Sequence, residues 1–263
     1  MTGFYIGVDG KARKVKGCYI GIDGVARKVK KGYIGDENGV ARLCYLDNPY
    51  DPVFANNSWE DVIAACQTGS VPDSWNVGDQ MTMTIDGTDY VIDIIGKNHD
   101  DYSDGSGKAP LTFQLHDCYK TKYPMNGSSS NKWDTCELRT MYLPEILSKM
   151  PTEVRSAIRS VTKTTTSGYQ NTSKVQTSDK LFLLSEIEIF GSSVYSFGGE
   201  GTRYEYYTKG NSPIKRINNA IDWWWSRSPY SGNSADFVRI GSEGTPYVSG
   251  SASKLGVSFA FCF

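Results

Sequence analysis

Histidine is scarce in this chain. Of 263 residues only His99 and His116 are histidines, which leaves little room for imidazole acid–base catalysis or for a histidine-built metal site. None of the six cysteines, Cys18, Cys44, Cys66, Cys118, Cys136 and Cys262, stands in a C-x-x-C pair. Zinc ribbons and thioredoxin-type redox sites therefore lose their usual ligands. A chain of this length folds without disulfides, and the thiols read as small buried hydrophobes. No run approaches the roughly 18 apolar residues of a membrane-spanning helix. The start, Met1-Thr2-Gly3-Phe4-Tyr5, lacks the basic beginning and apolar core of a signal peptide, so synthesis in the cytoplasm without export by that route is expected. H-E-x-x-H, G-x-S-x-G and G-x-x-x-x-G-K-[ST] are all absent. Gly199-Glu200-Gly201 begins a dinucleotide-type loop, but Tyr204 stands where its third glycine belongs.

Charge of one sign is also missing. Twenty-eight Lys and Arg face 29 Asp and Glu, a net charge of -1, which excludes a generally basic nucleic-acid binder and an acidic disordered tail. Aromatic residues make up 13% of the chain, with 17 tyrosines. That supply buries a sizeable core, and with 27 glycines it points to turns and half-buried surfaces more than to helical bundles.

The strongest internal signal is a repeat. Residues 3–16 read GFYIGVDGKARKVK, residues 17–30 read GCYIGIDGVARKVK, and a looser third copy, KGYIGDENGVARLCY, covers 31–45. Tyr-Ile favours a strand. Asp9-Gly10, Asp23-Gly24 and Asn38-Gly39 are the dipeptides of tight type I′ turns. Each copy is thus expected to be a β-hairpin, and because a lone hairpin is marginal in water, the units should pack on one another or on a larger assembly. Residues 1–45 carry a net +5 against -6 for the rest. No cluster of stacking aromatics accompanies that charge, so the basic residues read as exposed strand positions that discourage edge pairing. Asp47-Asn48-Pro49-Tyr50-Asp51-Pro52 is a turn-rich linker. The expected organisation is a hairpin region over 1–46 and a larger domain over 47–263.

In that domain Ser58-Trp59-Glu60-Asp61 opens a helix that Gly69 ends. Met81–Ile85 and Asp89–Ile95 flank Asp86-Gly87-Thr88 as a hairpin, and Leu111–His116 reads as a strand. Asp134 and Glu137 start a second helix that Pro144 and Pro151 break, with a third over 152–161. The Ser/Thr-rich stretch 162–178 reads as a loop, and LFLLSEIEIF over 181–190 as a buried strand. The pattern predicts an α+β fold.

Several residues were weighed for chemistry. Asp100-Asp101-Tyr102-Ser103-Asp104-Gly105 has the flavour of a calcium loop but places Tyr102 and Leu111 where EF-hand ligands belong, and it reads better as a solvated turn. His99 beside Asp100 and Asp101 suggests a hydrolase base without a placed nucleophile. Cys262 between Phe261 and Phe263 reads as core. No cofactor and no metal is expected.

The C-terminal block is unusual. Asp222-Trp223-Trp224-Trp225-Ser226-Arg227-Ser228-Pro229 sets three tryptophans in a row. YSGNSADFVRIGSEGTPYVSGSAS follows from Tyr230 to Ser253, and KLGVSFAFCF ends the chain. Tyr offers large contact area for few rotatable bonds, and Ser, Gly and Asn offer adaptable hydrogen bonding, the composition of a binding surface. WWWSRSP, GVSFAFCF, SWNVGDQMTMTIDGTDYVIDIIGKNHDD (74–101) and KLFLLSEIEIFG (180–191) resemble an uncharacterised domain family of gut Firmicutes and their phages. The repeats are similar to segments that begin phage tail proteins. The resemblance implies a C-type-lectin-like domain related to formylglycine-generating enzymes and to the variable proteins of diversity-generating retroelements, without the cysteine pair of the former. It implies a non-catalytic, tail-associated receptor-binding or adhesin protein, located in a virion and made without a signal peptide. A structural virion component, or an enzyme of the sulfatase-modifying type, are the alternatives. The ligand surface would comprise Tyr230, Ser231, Asn233, Asp236, Arg239, Glu243, Thr245, Tyr247, Ser249 and Ser251. The supporting frame would comprise Trp223, Trp224, Trp225, Arg227, Gly256 and Phe261. The expected partners are a host cell-surface protein or glycan, other tail proteins through residues 1–46, and further copies of the chain by analogy with trimeric fibres. Nucleic acid and membrane insertion are not expected.

Overall fold

A computed structural model describes residues 5–14, 18–29, 31–35, 41–46 and 50–263. The third repeat's turn at 36–39, the linker start at 47–49 and the side chain of Cys44 lie outside the described residues. The chain divides into two compact units, Met1–Asp51 and Pro52–Phe263.

The first unit holds three antiparallel hairpins. They are β1 (Tyr5–Val8) with β2 (Lys11–Lys14), β3 (Tyr19–Ile22) with β4 (Val25–Lys28), and β5 (Lys31–Gly35) with β6 (Ala41–Leu46). In the first two the turn residues sit at positive φ, Asp9 at 51° and Gly10 at 72°, Asp23 at 53° and Gly24 at 77°. The repeated Asp-Gly pair supplies that conformation, and it matches the twist of the flanking strands.

The second unit opens on α1 (Trp59–Thr68). Ser58 Oγ accepts from the Asp61 N–H while Asp61 accepts from the Ser58 N–H, and Gly69 closes the helix at φ 64°, the left-handed position that suits glycine. The central sheet contains β7 (Gln80–Ile85), β8 (Thr88–Lys97) and β9 (Leu111–Leu115), with the C-terminal β17 (Ala260–Cys262) on the far side of β9. Its core is aromatic: Phe113 lies 5.4 Å from the rings of both Phe261 and Phe263 and 5.7 Å from Trp59. The C-terminal FAFCF motif is therefore the filling of this sheet. Cys66, Cys118, Cys136 and Cys262 are buried thiols. Burial pushes the first three up to about 12 and raises Cys262 as well, so none is a ready nucleophile.

A wide helical turn over Leu138–Tyr142 runs into α2 (Leu143–Ser148), and α3 (Thr152–Ala157) follows. Then come β10 (Val161–Thr166) with β11 (Lys174–Asp179), α4 (Glu186–Phe190), α5 (Glu205–Thr208), and β12 (Lys215–Ile217) with β13 (Ala220–Asp222). A last antiparallel sheet joins β14 (Trp224–Pro229), β15 (Asp236–Ile240) and β16 (Pro246–Gly250).

This architecture corrects the α+β, C-type-lectin-like expectation. The protein is mostly β-strand in small sheets, only 17% helical, and no lectin-type fold is shown. Three local misreadings account for much of the difference. The stretch 162–178 pairs as β10–β11 because its threonines, branched at Cβ, suit a strand, and six residues on each side are in register. The helix expected over 152–161 stops at Ala157 because Val161 enters β10. The strand expected over 181–190 does not form: only Phe182 bridges Ala260, and α4 follows, capped reciprocally by Ser185 and Glu188 and closed by Gly191 at φ 82°. Glu186 and Glu188 are buried, so their alternation with Ile187 and Ile189 is not an in–out strand pattern.

Candidate functional site

The β14–β15–β16 sheet brings the residues between Trp223 and Ser253 together. Trp225 pairs with Arg239, and Arg239 with Tyr247. Directly paired residues share a face, and Trp223 immediately precedes β14. The outcome is an arginine in contact with two rings: the Arg239 guanidinium carbon lies 3.7 Å from the Trp223 ring centre and 4.8 Å from that of Tyr247. Its Nε donates to Ser249 Oγ at 2.8 Å. Arg239 retains 7% of its surface, whereas Trp223 is 42% and Tyr247 54% exposed. Such stacking contributes about 0.5–2 kcal/mol per ring and holds the planar fork in one orientation.

Beside this clamp runs a tyrosine chain. Tyr195 lies 6.0 Å from both Tyr230 and Tyr247. The loop carrying Tyr195 is fixed from beneath by Glu186, whose buried carboxylate accepts from the N–H groups of Val194, Tyr195 and Ser196 and from Ser196 Oγ. The carbonyl of Tyr195 accepts from Ser231 N–H and Ser231 Oγ.

The expected contact residues divide by what their side chains already do. Asn233 accepts from the Ala235 and Asp236 N–H groups and donates to the Asp236 carboxylate. Asn131 donates to the carbonyls of Tyr230 and Asn233. Ser251 is buried and donates to Ser128 O. Ser231, Asn233, Asp236 and Ser251 thus build the turn, and Ser249 holds the arginine. Glu243, Thr245 and Tyr247 are exposed and Tyr230 half-exposed, so with Arg239 they are the groups an incoming molecule meets.

The supporting residues are placed as follows. Trp224 and Trp225 are fully buried, donating to Pro213 O and Tyr123 O, both at 2.9 Å. Trp223 is on the face itself. Phe261 is in the central core. Gly256 lies against β14, taking a bond from Trp225 N–H and donating to Trp223 O, and a Cβ there would meet Cys118 Sγ at 2.7 Å. Arg227 is fully buried and pairs through both terminal nitrogens with Glu188.

That pair belongs to a closed ionic cluster. Lys163 Nζ lies 2.5 Å from Asp100 and 3.0 Å from Glu188, and Tyr204 OH reaches both Asp100 oxygens at 2.9 Å. Burial alone would raise the Asp100 carboxyl, but the Lys163 ammonium, its hydrogen bond and that of Thr112 lower it to about 2. His99 stacks on Tyr204 at 3.9 Å, and burial lowers its pKa. Asp101 pairs with Lys108 and Asp104 with Arg159. Among the described residues no group of three His, Cys, Asp or Glu side chains is set to hold a metal. His116 bonds Asp93 at 2.9 Å, which raises its pKa. Asp100, Lys163, Glu188 and Arg227 are each at most 4% exposed.

Sequence reasoning missed Tyr195, Glu186 and Asn131. Only Glu186 left a trace: Ser185-x-x-Glu188 is a capping box, which would have put Glu186 in a first helical turn. Tyr195 and Asn131 come to the face by tertiary pairing across 35 and 99 residues. A polar cleft of about 470 Å³ opens on the Asn131 side of the same turn, lined among others by Ser130, Lys132, Tyr169, Asn171 and Ser234.

No curated protein and no solved structure matches the chain. A family model does match, over residues 103–263, more than half of the chain and all of the β14–β15–β16 face. The chain belongs to that family, DUF6273, a domain of unknown function.

Proposed function

We propose that this protein is a non-catalytic binding protein. Residues 52–263 present the Trp223–Arg239–Tyr247 face to a ligand, and residues 1–51 attach it to a larger assembly. The observation that carries the reading is a guanidinium held against two exposed rings, with no carboxylate partner among the described residues, on a three-stranded sheet. Arginine and aromatic residues dominate binding hot spots, and a rigid support keeps their geometry productive. The second repeat hairpin supports the attachment role: Tyr19, Ile20, Ile22 and Val25 are 63%, 53%, 43% and 57% exposed, apolar surface suited to burial against another chain. The setting comes from the sequence resemblance. In a phage or prophage tail, such a protein is a receptor-binding or adhesin component, and its ligand is a host surface glycan or protein. The ionic cluster around Lys163 favours binding over catalysis, because its charges neutralise one another out of reach of solvent.

The test is binding of labelled full-length protein to a panel of Firmicutes cells. The reading predicts binding to at least one strain and its loss when Tyr230→Ala, Arg239→Gln and Tyr247→Ala are combined in a protein that keeps its melting temperature. Undiminished binding by that triple variant contradicts it.

A further inference from the structure

Arg239 differs from the arginines that pair with acids, and from Arg155, whose terminal nitrogen donates to Ser148 O. Arg139 pairs with Asp179, Arg159 with Asp104 and Arg227 with Glu188. Among the described residues no carboxylate lies within 4.0 Å of Arg239. Its guanidinium carbon lies against the rings of Trp223 and Tyr247, and its Nε is engaged by Ser249. Among the described residues the terminal nitrogens Nη1 and Nη2 meet no hydrogen-bond acceptor. They are also not among the fully enclosed unpartnered atoms, which are Tyr119 OH, Thr165 Oγ1 and Arg227 Nε. The outer edge of the fork therefore meets solvent. A cation this enclosed is costly to hold without a counter-charge, and burial lowers its pKa while an arginine still remains protonated.

The acids of the same sheet and its turn do not supply the counter-charge. Asp236 is bonded to Asn233, and Glu243, exposed at the turn between β15 and β16, makes no ion pair with Arg239. With Nε engaged by Ser249, the terminal nitrogens remain as donors, Nη1 lying beside Gly241 and Thr245, and a guanidinium with both terminal nitrogens free can take a carboxylate or phosphate through two bonds. The surroundings are rich in hydroxyls and amides. Ser242 and Thr245 are exposed beside the clamp, and the cleft on the other side of the 230–235 turn offers Ser130, Asn131, Lys132, Tyr169 and Asn171, with one carboxylate, Asp134, beside Lys132 in its lining. Such a lining suits a polyhydroxylated chain better than the apolar side chains that anchor a peptide.

We infer that Arg239 is an anion-binding residue and that the ligand of this face is an acidic saccharide, its carboxylate or phosphate held by Nη1 and Nη2 beside Trp223 and Tyr247. This rests on the binding reading above and names the chemistry of its ligand. Charge-assisted recognition of this kind weakens as salt rises.

The experiment measures affinity of the full chain for four probes. Oligogalacturonate carries carboxylates, poly(glycerol phosphate) carries phosphates, an N-acetylglucosamine oligomer is neutral, and polyglutamate is an acidic peptide. The expected result is binding to an acidic saccharide that falls about tenfold or more in Arg239→Gln, is only partly restored in Arg239→Lys, and weakens with salt. Whichever of the two acidic polymers responds identifies the anion. A measurement on the unaltered protein guards against misfolded variants: galacturonate or inorganic phosphate should shift the Trp223 indole N–H resonance, assigned by its loss in Trp223→Phe. The inference is overturned by equal affinity of Arg239→Gln and the unaltered protein, by binding to polyglutamate alone, or by no response of Trp223 to either anion. If the neutral oligomer binds as well as the acidic ones and the triple variant loses it, the binding face stands and the anion assignment falls. If the triple variant binds cells like the unaltered protein, both fall.

Discussion

Single residues show how much of this molecule depends on completed polar partnerships. Lys163 neutralises Asp100 and Glu188 where neither is hydrated. Lys163→Met should cost about 3–5 kcal/mol, because it leaves a buried carboxylate without its cation. The pH dependence follows from Asp100. Its folded pKa, about 2, lies below the ordinary 3.8, so its contribution to stability is present above 3.8 and lost as pH falls toward 2. Burial raises Glu200, an opposite effect common to both proteins. Urea unfolding at pH 6 and pH 3 should show a loss of stability in acid for the unaltered protein, and a smaller loss in Lys163→Met. Equal acid losses would remove Asp100 from the account. Glu186 is the second such residue, since its carboxylate holds the Tyr195 loop through four donors. Glu186→Gln should cost about 1–3 kcal/mol and speed amide hydrogen exchange at Tyr195 and Ser196. Unchanged exchange there would mean that the loop is held by something else.

Elements were legible where local chemistry decides them. The Asp-Gly turns of the repeats, the Ser58–Gly69 helix with both its caps and the β7–β8 hairpin at Asp86-Gly87 were all readable, because each is specified by neighbours within a few residues. The β10–β11 hairpin was not, since serine and threonine serve loops and strands alike and the choice is made by burial of Val161, Lys163 and Thr165 against the core. LFLLSEIEIF carried two periodicities, and the capping box overrode the alternation. Of the site, the composition between Tyr230 and Ser253 was readable, but its division into turn-building and outward-facing residues depends on Asn131 and Tyr195, which no local pattern joins to it. The support of the face by Gly256 is testable at this scale. A methyl group there meets Cys118 Sγ at 2.7 Å, Trp223 O at 3.0 Å and Ile217 Cδ1 at 3.1 Å. Backbone on one side and a packed core on the other leave little room to relax, so Gly256→Ala should destabilise by about 1–3 kcal/mol and disturb the Trp223–Arg239 stack. Thermal unfolding and Trp223 indole shifts would read both effects.

At the scale of the whole molecule, a repetitive hairpin unit with exposed apolar strands precedes a self-sufficient β-rich unit whose aromatic core is closed by its own C-terminus. Residues 52–263 produced alone should therefore unfold cooperatively at the temperature of the same unit in the full chain, as calorimetry would show. The proposal that the β14–β15–β16 face is where this unit meets its ligand is tested most directly by hydroxyl-radical footprinting of the protein, free and bound to target cells. Trp223 and Tyr247, 42% and 54% exposed, should oxidise readily in the free protein and be protected on binding, while Met141, 59% exposed on a different element, keeps its rate. Protection of both residues before any ligand is added, or bound protein in which they oxidise as fast as in the free one, would contradict the account.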